Sequence, residues 1–375
     1  MRYSLLAVFL FLSIICMSQQ YALLVTGTYT SGKSEGIYVF RINTSTGEAT
    51  PAFVAKGIRN PSFLAISPDQ EFVYAVEELN GDGNSGKIVS YRFNRKDGSL
   101  TRIIGKPSGG DDPCYITTDK SGRWVITGNY SSGTVSVHPA NKNGVLGDAV
   151  CLIKHEGSSV NKERQNGPHV HSTVLDADNN YLYVPDLGTD KVMIYGFNKK
   201  TGMLTPATNP FAAVKPGSGP RHFEFARNGR TAYLVEELTG TVTVFSVDKK
   251  SGSLQPVQSI SGAKPGFSGF MGSADIHASP DEKFLYTSNR GEANDISIFS
   301  INNENGKLTY LNSEPVKGKI PRNFCIDPSG NLLLVANQET NEIVVFTRDK
   351  NTGKLTDSGK RIAVPNPVCL KWVKP

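Results

Sequence analysis

The sequence predicts an all-β fold, a seven-bladed β-propeller whose ring is closed by the C-terminal strand pairing with the N-terminal blade. Three observations carry this expectation. First, a unit of about fifty residues recurs along the chain, as in NPSFLAISPDQEFVYAVEE from Asn60, GPRHFEFARNGRTAYLVEE from Gly219, GSADIHASPDEKFLYTSNR from Gly272 and IPRNFCIDPSGNLLLVANQ from Ile320. Second, each unit holds four short runs rich in Val, Ile, Tyr and Phe and bounded by Gly, Asn, Asp and Pro, which is strand composition. Third, no long stretch beyond the N-terminal segment carries a helical apolar stripe. Four strands per unit match a propeller blade, an antiparallel sheet that buries both faces against its neighbours.

The second strands give the blade count. They begin at Ala22, Phe72, Trp124, Tyr181, Thr231, Phe284 and Leu332, which makes seven blades. The first blade lacks its opening strand, and the last segment, NPVCLKWV from Asn366, is an opening strand with nothing after it. Pairing the two closes the ring and removes the exposed edges. A chain of 375 residues is long enough for two ordinary domains, but blades cannot bury their faces alone. The expectation is therefore one propeller domain over residues 19–375. The 37 Gly and 21 Pro serve its many turns.

The net charge of +6 comes from Lys and Arg scattered through turns such as DKSGR, NKKTG and DKKSG. Nucleic-acid binding needs a basic stripe, and there is none. A small anionic partner fits the excess better. The segment MRYSLLAVFLFLSIICMSQQ places Arg2 before a short apolar run, then small and polar residues. It reads as a signal peptide over residues 1–18, cut between Ser18 and Gln19, and its run is short for a membrane span. The mature chain is expected to be periplasmic or secreted, monomeric and without stable membrane association. It retains Cys114, Cys151, Cys325 and Cys369, with no Cys-x-x-Cys pair that would suggest zinc. They read as small buried hydrophobes. Cys325 and Cys369, on opening strands of adjacent blades, are the pair in which a disulfide is to be sought.

The repeat register shows which residues share a site. Opening strands line the central channel, so equivalent positions form rings around the axis. The residue after the Pro that opens each repeat gives Ser62, Cys114, His171 (with a two-residue shift), Arg221, Ala274, Arg322 and Val368. The ends of the second strands give Glu78, Tyr130, Leu187, Glu237, Arg290 and Gln338, with Thr28 or Tyr29 from the first blade. His169, His222, Asp275, His277 and Asn323 stand beside them. Four of the six His of the mature chain fall in opening strands. Arg can grip a carboxylate or phosphate in bidentate fashion and stabilise an oxyanion. His171 or Glu237 can move a proton as general base or acid. This set fits ester or lactone opening on an anionic substrate. There is no Gly-x-Ser-x-Gly elbow, phosphate-binding Gly loop or His-Glu-x-x-His helix, so a covalent serine route is disfavoured.

At these residues the chain resembles a known family. NGPHVHS from Asn166, VPDLGTDKV from Val184, GPRHFEF from Gly219, the Tyr-x-x-x-Glu step from Tyr233 to Glu237, ADIHASPD from Ala274 and the Ser-Asn-Arg ending at Arg290 look like the seven-bladed propeller lactonases. That family includes propeller-type bacterial 6-phosphogluconolactonases and a fungal carboxy-muconate lactonizing enzyme, and the resemblance spans the mature chain. It implies catalytic roles for His171, Arg221, Glu237 and Arg290. It also implies hydrolysis of 6-phospho-glucono-1,5-lactone to 6-phosphogluconate without a metal or other cofactor. The expected substrate-binding residues are His169, His222, His277, Arg322, Asn323, Glu78 and Gln338. Export sits badly with a cytoplasmic sugar phosphate, so an unphosphorylated lactone is an alternative. A metal-dependent gluconolactonase with ligands from Glu78, Asn129, Asp186 and Glu237 is a further one, opposed by the Arg near Glu237. A non-catalytic anion-binding or scaffold propeller completes the set.

Overall fold

The protein is described by a computed structural model over residues 21–81 and 85–374. The expected signal peptide at 1–18 lies outside the described residues. The second strand of a blade has neighbours on both faces, and its sequence has no polar alternation for that reason. Phe72–Glu77, Thr231–Glu236, Phe284–Asn289 and Leu332–Asn337 are buried at every position. The outer strands, such as Leu254–Ser261 and Leu308–Pro315, are largely exposed and polar. The described strands form seven four-stranded antiparallel sheets, each running in chain order from the channel outward.

The first sheet is the exception to that order. Its inner strand is Pro367–Trp372, which pairs antiparallel with Tyr21–Thr28 and sets Gly27 against Cys369 and Leu24 against Trp372. Backbone bonds from Tyr29 to Asn366 (3.1 Å) and from Val373 to Leu23 (2.9 Å) extend the seam. Leu24 is fully buried and packs into the core shared with Leu334, Val345 and Ile362 of the seventh blade. Its neighbours Leu23 and Val25 face the other way, into the core shared with Val73 and Ile88 of the second blade. Burying one such Leu is worth about 2 kcal/mol.

The recurring Gly-x-Leu motif has a packing cause. Gly252 (φ 72°) and Gly353 (φ 72°) adopt left-handed backbone in the turn before the outer strand. A Cβ at either position would lie 2.5 Å or less from the Tyr181 or Phe284 ring of the preceding blade. Tyr hydroxyls of those preceding blades staple the same turns. Tyr183 donates to the Gly252 carbonyl at 2.8 Å, Tyr233 to Gly306 at 3.1 Å and Tyr286 to Gly353 at 2.9 Å. Tyr233 is therefore an inter-blade staple, although its motif ends at Glu237.

All four described cysteines are free and buried. Cys325 sits in the core between the seventh and first blades, and Cys369 in the core between the first and second. The sought disulfide is absent because the two thiols belong to different inter-blade layers.

Ring closure makes a direct prediction. Deleting residues 365–375 should leave the Tyr21–Thr28 edge unpaired and expose Leu24. We expect loss of the single cooperative thermal transition and aggregation on size exclusion. An unchanged melting temperature would show that the seam contributes little.

Candidate active site

At one end of the channel the opening strands break register. Pro220 pairs with Glu236 and His222 with Val235, so Arg221 has no opposite residue. The same interruption falls at Arg322, Cys114 and Val368. A bulge re-aims a side chain out of the ladder. Six of the seven ring positions, together with Phe63 and His222, line one cavity of about 10 Å³. That is about the room one water needs. The seventh position contributes its backbone, since the Ala274 carbonyl accepts a bond from Arg221 Nη1.

Glu237 organises the mouth. Its Oε2 accepts from Arg221 Nε and Arg290 Nη2, each at 2.9 Å, and its Oε1 from Arg164 Nη2 at 2.6 Å. Burial pushes the Glu237 carboxyl up, but Arg290, Arg221 and Arg164 together hold it well below the usual carboxylate range. It is therefore ionised and committed, which makes it a poor proton acceptor. Burial, reinforced by Arg290 and Arg322, lowers Arg221 to about 9. Arg290 is fixed further by donating from Nε to the Gly272 carbonyl at 2.8 Å.

The sequence-derived residues divide into three groups. His171, Arg221, Glu237 and Arg290 are brought together. Burial, then Arg221, His222 and Arg322, pushes His171 well below its usual value, so it is neutral at pH 7. Its Nδ1 lies 3.7 Å from Cys114 Sγ, and its Nε2 has no protein partner among the described residues. Arg322, Glu78 and His169 rim the same mouth, while Gln338 follows the strand Leu332–Asn337 and is held by its backbone N–H on the Ile320 carbonyl at 3.0 Å. Arg322 lies over the Tyr29 ring at 5.3 Å and makes no ion pair among the described residues. Glu78 accepts from Tyr29 (2.8 Å) and from Ser62. His169 stacks on Tyr130 at 4.4 Å.

His222, Asn323 and His277 belong to the wall. Asn323 is spent on Asp275 and the Leu370 amide. His277 bonds Glu224 and Asp275 and lines a separate cavity with Cys325 and Trp372, away from the arginines. Opening strands run the length of the channel, so a register three residues further along lies nearer its other end. A cavity of about 410 Å³ is also at that far end, between turns such as Ser67–Gln70 and Asp119–Lys120, and contains no arginine.

Arg164 escaped the sequence reading. It sits in the irregular segment 155–169, anchored by Gln165 on the Leu187 carbonyl (2.8 Å) and Ser159 on Asp190 (2.5 Å). The signal was the shifted register and the long insertion before His171. The proposed metal ligands do not converge. Asn129 bonds Ser108 and Thr134, and Asp186 bonds His155, while Glu78 and Glu237 are engaged as above. Among the described residues no group of three or more His, Cys, Asp or Glu is placed to hold a metal ion.

Comparison with known proteins decides the family. The model of the family described as "Lactonase, 7-bladed beta-propeller" matches residues 23–372. The chain belongs to the seven-bladed β-propeller lactonase family. Membership makes it a carboxylic ester hydrolase of the lactonase class. It is 38% identical to a 6-phosphogluconolactonase of Formosa agariphila, covering 90% of this chain and 96% of that one. A Bacillus subtilis 6-phosphogluconolactonase is 33% identical, with 92% and 97% covered. The solved structure of a periplasmic gluconolactonase of Pseudomonas aeruginosa superposes with a TM-score of 0.89 at 36% identity, covering 94% of this lactonase and 99% of that chain.

Two variants test the electrostatic frame. Glu237→Gln leaves three guanidinium groups, that of Arg221 fully buried, without their carboxylate and should cost about 3–5 kcal/mol at pH 7, read by urea denaturation. A lowered folded pKa stabilises above the unfolded value, so the gap to wild type should close as pH falls below about 4. Arg164→Ala, whose side chain is 38% exposed, should change stability by less than about 1 kcal/mol. It should nevertheless raise KM for an anionic lactone.

Proposed function

We propose that the mature chain hydrolyses 6-phospho-D-glucono-1,5-lactone to 6-phosphogluconate. One observation carries this reading: four guanidinium groups face two carboxylates at the mouth, and the charge left over includes the unpaired Arg322 beside a neutral His171. A structural network would balance its charges. An anion site keeps cations in reserve for its ligand.

In this reading a water attacks the lactone C1 while His171 Nε2 takes its proton. The unpartnered Nη2 of Arg221, with Arg290, stabilises the oxyanion, and Arg322 and Arg164 hold the phosphate. The tetrahedral intermediate collapses, the C1–O5 bond breaks, and the His171 imidazolium returns the proton to O5. The new carboxyl then ionises, releasing one proton to solvent. Glu237 orients the arginines rather than moving the proton, because three of them hold it ionised. No step calls for a metal.

A second reading has its own support. The N-terminal leader and the likeness to a protein named a periplasmic gluconolactonase favour an exported enzyme acting on an unphosphorylated sugar lactone.

Side-by-side proton-release assays of the two lactones, corrected for spontaneous hydrolysis, separate the readings. We expect strong preference for the phosphorylated substrate, and Arg322→Ala should erase that preference. Turnover of the plain lactone alone would replace the first reading with the second. The acid limb of kcat/KM should lie well below the ordinary His value of about 6.5, because the lowered His171 stays unprotonated there. His171→Gln should reduce kcat by about 10²–10⁴-fold. A full acid limb surviving in that variant would exclude His171 as the base.

A further inference from the structure

We propose that Asp275 is a positioning residue for the reaction, acting through His222 to hold Arg221 with two N–H groups free for the substrate. The inference rests on the lactonase reading of this mouth but not on which lactone is opened.

Arg221 carries five N–H donors in a planar fork. Nε donates to Glu237 Oε2 at 2.9 Å, and Nη1 donates to the Ala274 carbonyl and to His222 Nε2 at 3.3 Å. The two N–H groups of Nη2 have no protein partner among the described residues. Three bonds thus fix the fork in the wall and leave its remaining edge to the cavity that Arg221 lines.

The bond from Nη1 decides the state of His222. Nη1 can only donate, so Nε2 must accept, and the ring proton must sit on Nδ1. It does have a taker: Nδ1 donates to Asp275 Oδ1 at 2.7 Å. Were the proton on Nε2 instead, two donors would face each other and push the guanidinium out of its seat. Asp275 therefore sets the tautomer on which the Arg221 geometry depends, a logic known from Asp–His pairs in hydrolases.

Asp275 is itself fixed. Its Oδ2 accepts from His277 Nε2 (3.1 Å), from Asn323 Nδ2 and from the Phe324 amide (3.3 Å). With His222 on Oδ1, four donors meet the roughly four lone-pair sites of a carboxylate. His277 donates from both nitrogens, the second to Glu224 at 2.7 Å. Burial opposes its protonation, but Asp275 and Glu224 outweigh burial and raise it to about 10. The imidazolium keeps Asp275 ionised although the carboxylate is almost fully buried. This gives His277, which lies off the arginine cluster, a role in the same reaction.

The test combines a spectroscopic and a kinetic readout on the full mature chain. Nitrogen NMR of histidine-labelled wild type at pH 7 should show His222 neutral with its proton on Nδ1, and His277 protonated on both nitrogens. A His222 proton on Nε2, or a charged His222, would overturn the proposal without any variant. Kinetics of Asp275→Asn, His222→Gln and the double variant use whichever lactone wild type turns over. Each single variant should lower kcat by about 10²-fold, the scale of a misplaced catalytic group, with KM changed less than about threefold. The double variant should be no slower than the slower single, since both break one chain of bonds. Multiplying losses would mean that Asp275 does not act through His222. If Asp275→Asn fails to fold, the wild-type tautomer together with His222→Gln decides. Preference between the two lactones tests the substrate reading separately, because the variant-to-wild-type ratio does not depend on it.

Discussion

Every blade of this protein needs a neighbour on each face. The second strands carry Val, Ile, Leu and aromatic residues at successive positions, without the polar alternation that a solvated face would require. An open array would leave two such faces in water, along with an unpaired edge. The seam between Pro367–Trp372 and Tyr21–Thr28 meets that constraint. It also fixes the channel, because a closed ring of seven sheets brings the starts of all opening strands to one place.

That convergence is what creates the site. No blade holds a complete set of groups: Arg221 and Glu237 come from the fifth, Arg290 from the sixth, Arg322 from the seventh and Arg164 from the segment entering the fourth. Bulges at the strand starts turn Arg221 and Arg322 out of their ladders. Concentrating guanidinium groups in a buried mouth is electrostatically costly, and Glu237 offsets that cost for three of them. Burial also works on the histidines, lowering His171 and His222, the latter to about 4. His277 moves the opposite way because two carboxylates face it. Three histidines in one channel thus shift in two opposite directions, set by partners rather than by depth alone.

Much of this was legible in the chain. The blade count and the closing strand followed from the repeat, and the ring positions mapped onto a real cavity with a single substitution of backbone for side chain at Ala274. His277 and Asn323 show where that reading weakens. Both occupy opening strands, yet their side chains are consumed by Asp275 and its surroundings. Register assigns a residue to a strand but does not say which neighbour will claim its polar atoms. Arg164 was missed for the complementary reason: an insertion has no repeat register, so nothing in the sequence says where it folds back.

The sequence by itself determined the architecture and the ring positions that line the channel. These depend on patterns that recur, and recurrence is visible in one dimension. Only the tertiary structure decided the partners of these residues. It committed Glu237 to three arginines, left Arg322 without a direct ion pair among the described residues, separated His277 from the mouth and fixed the proton of His222. Each of these turns on a distance of a few ångströms between residues tens of positions apart, where hydrogen-bond partners and burial set charge and tautomer.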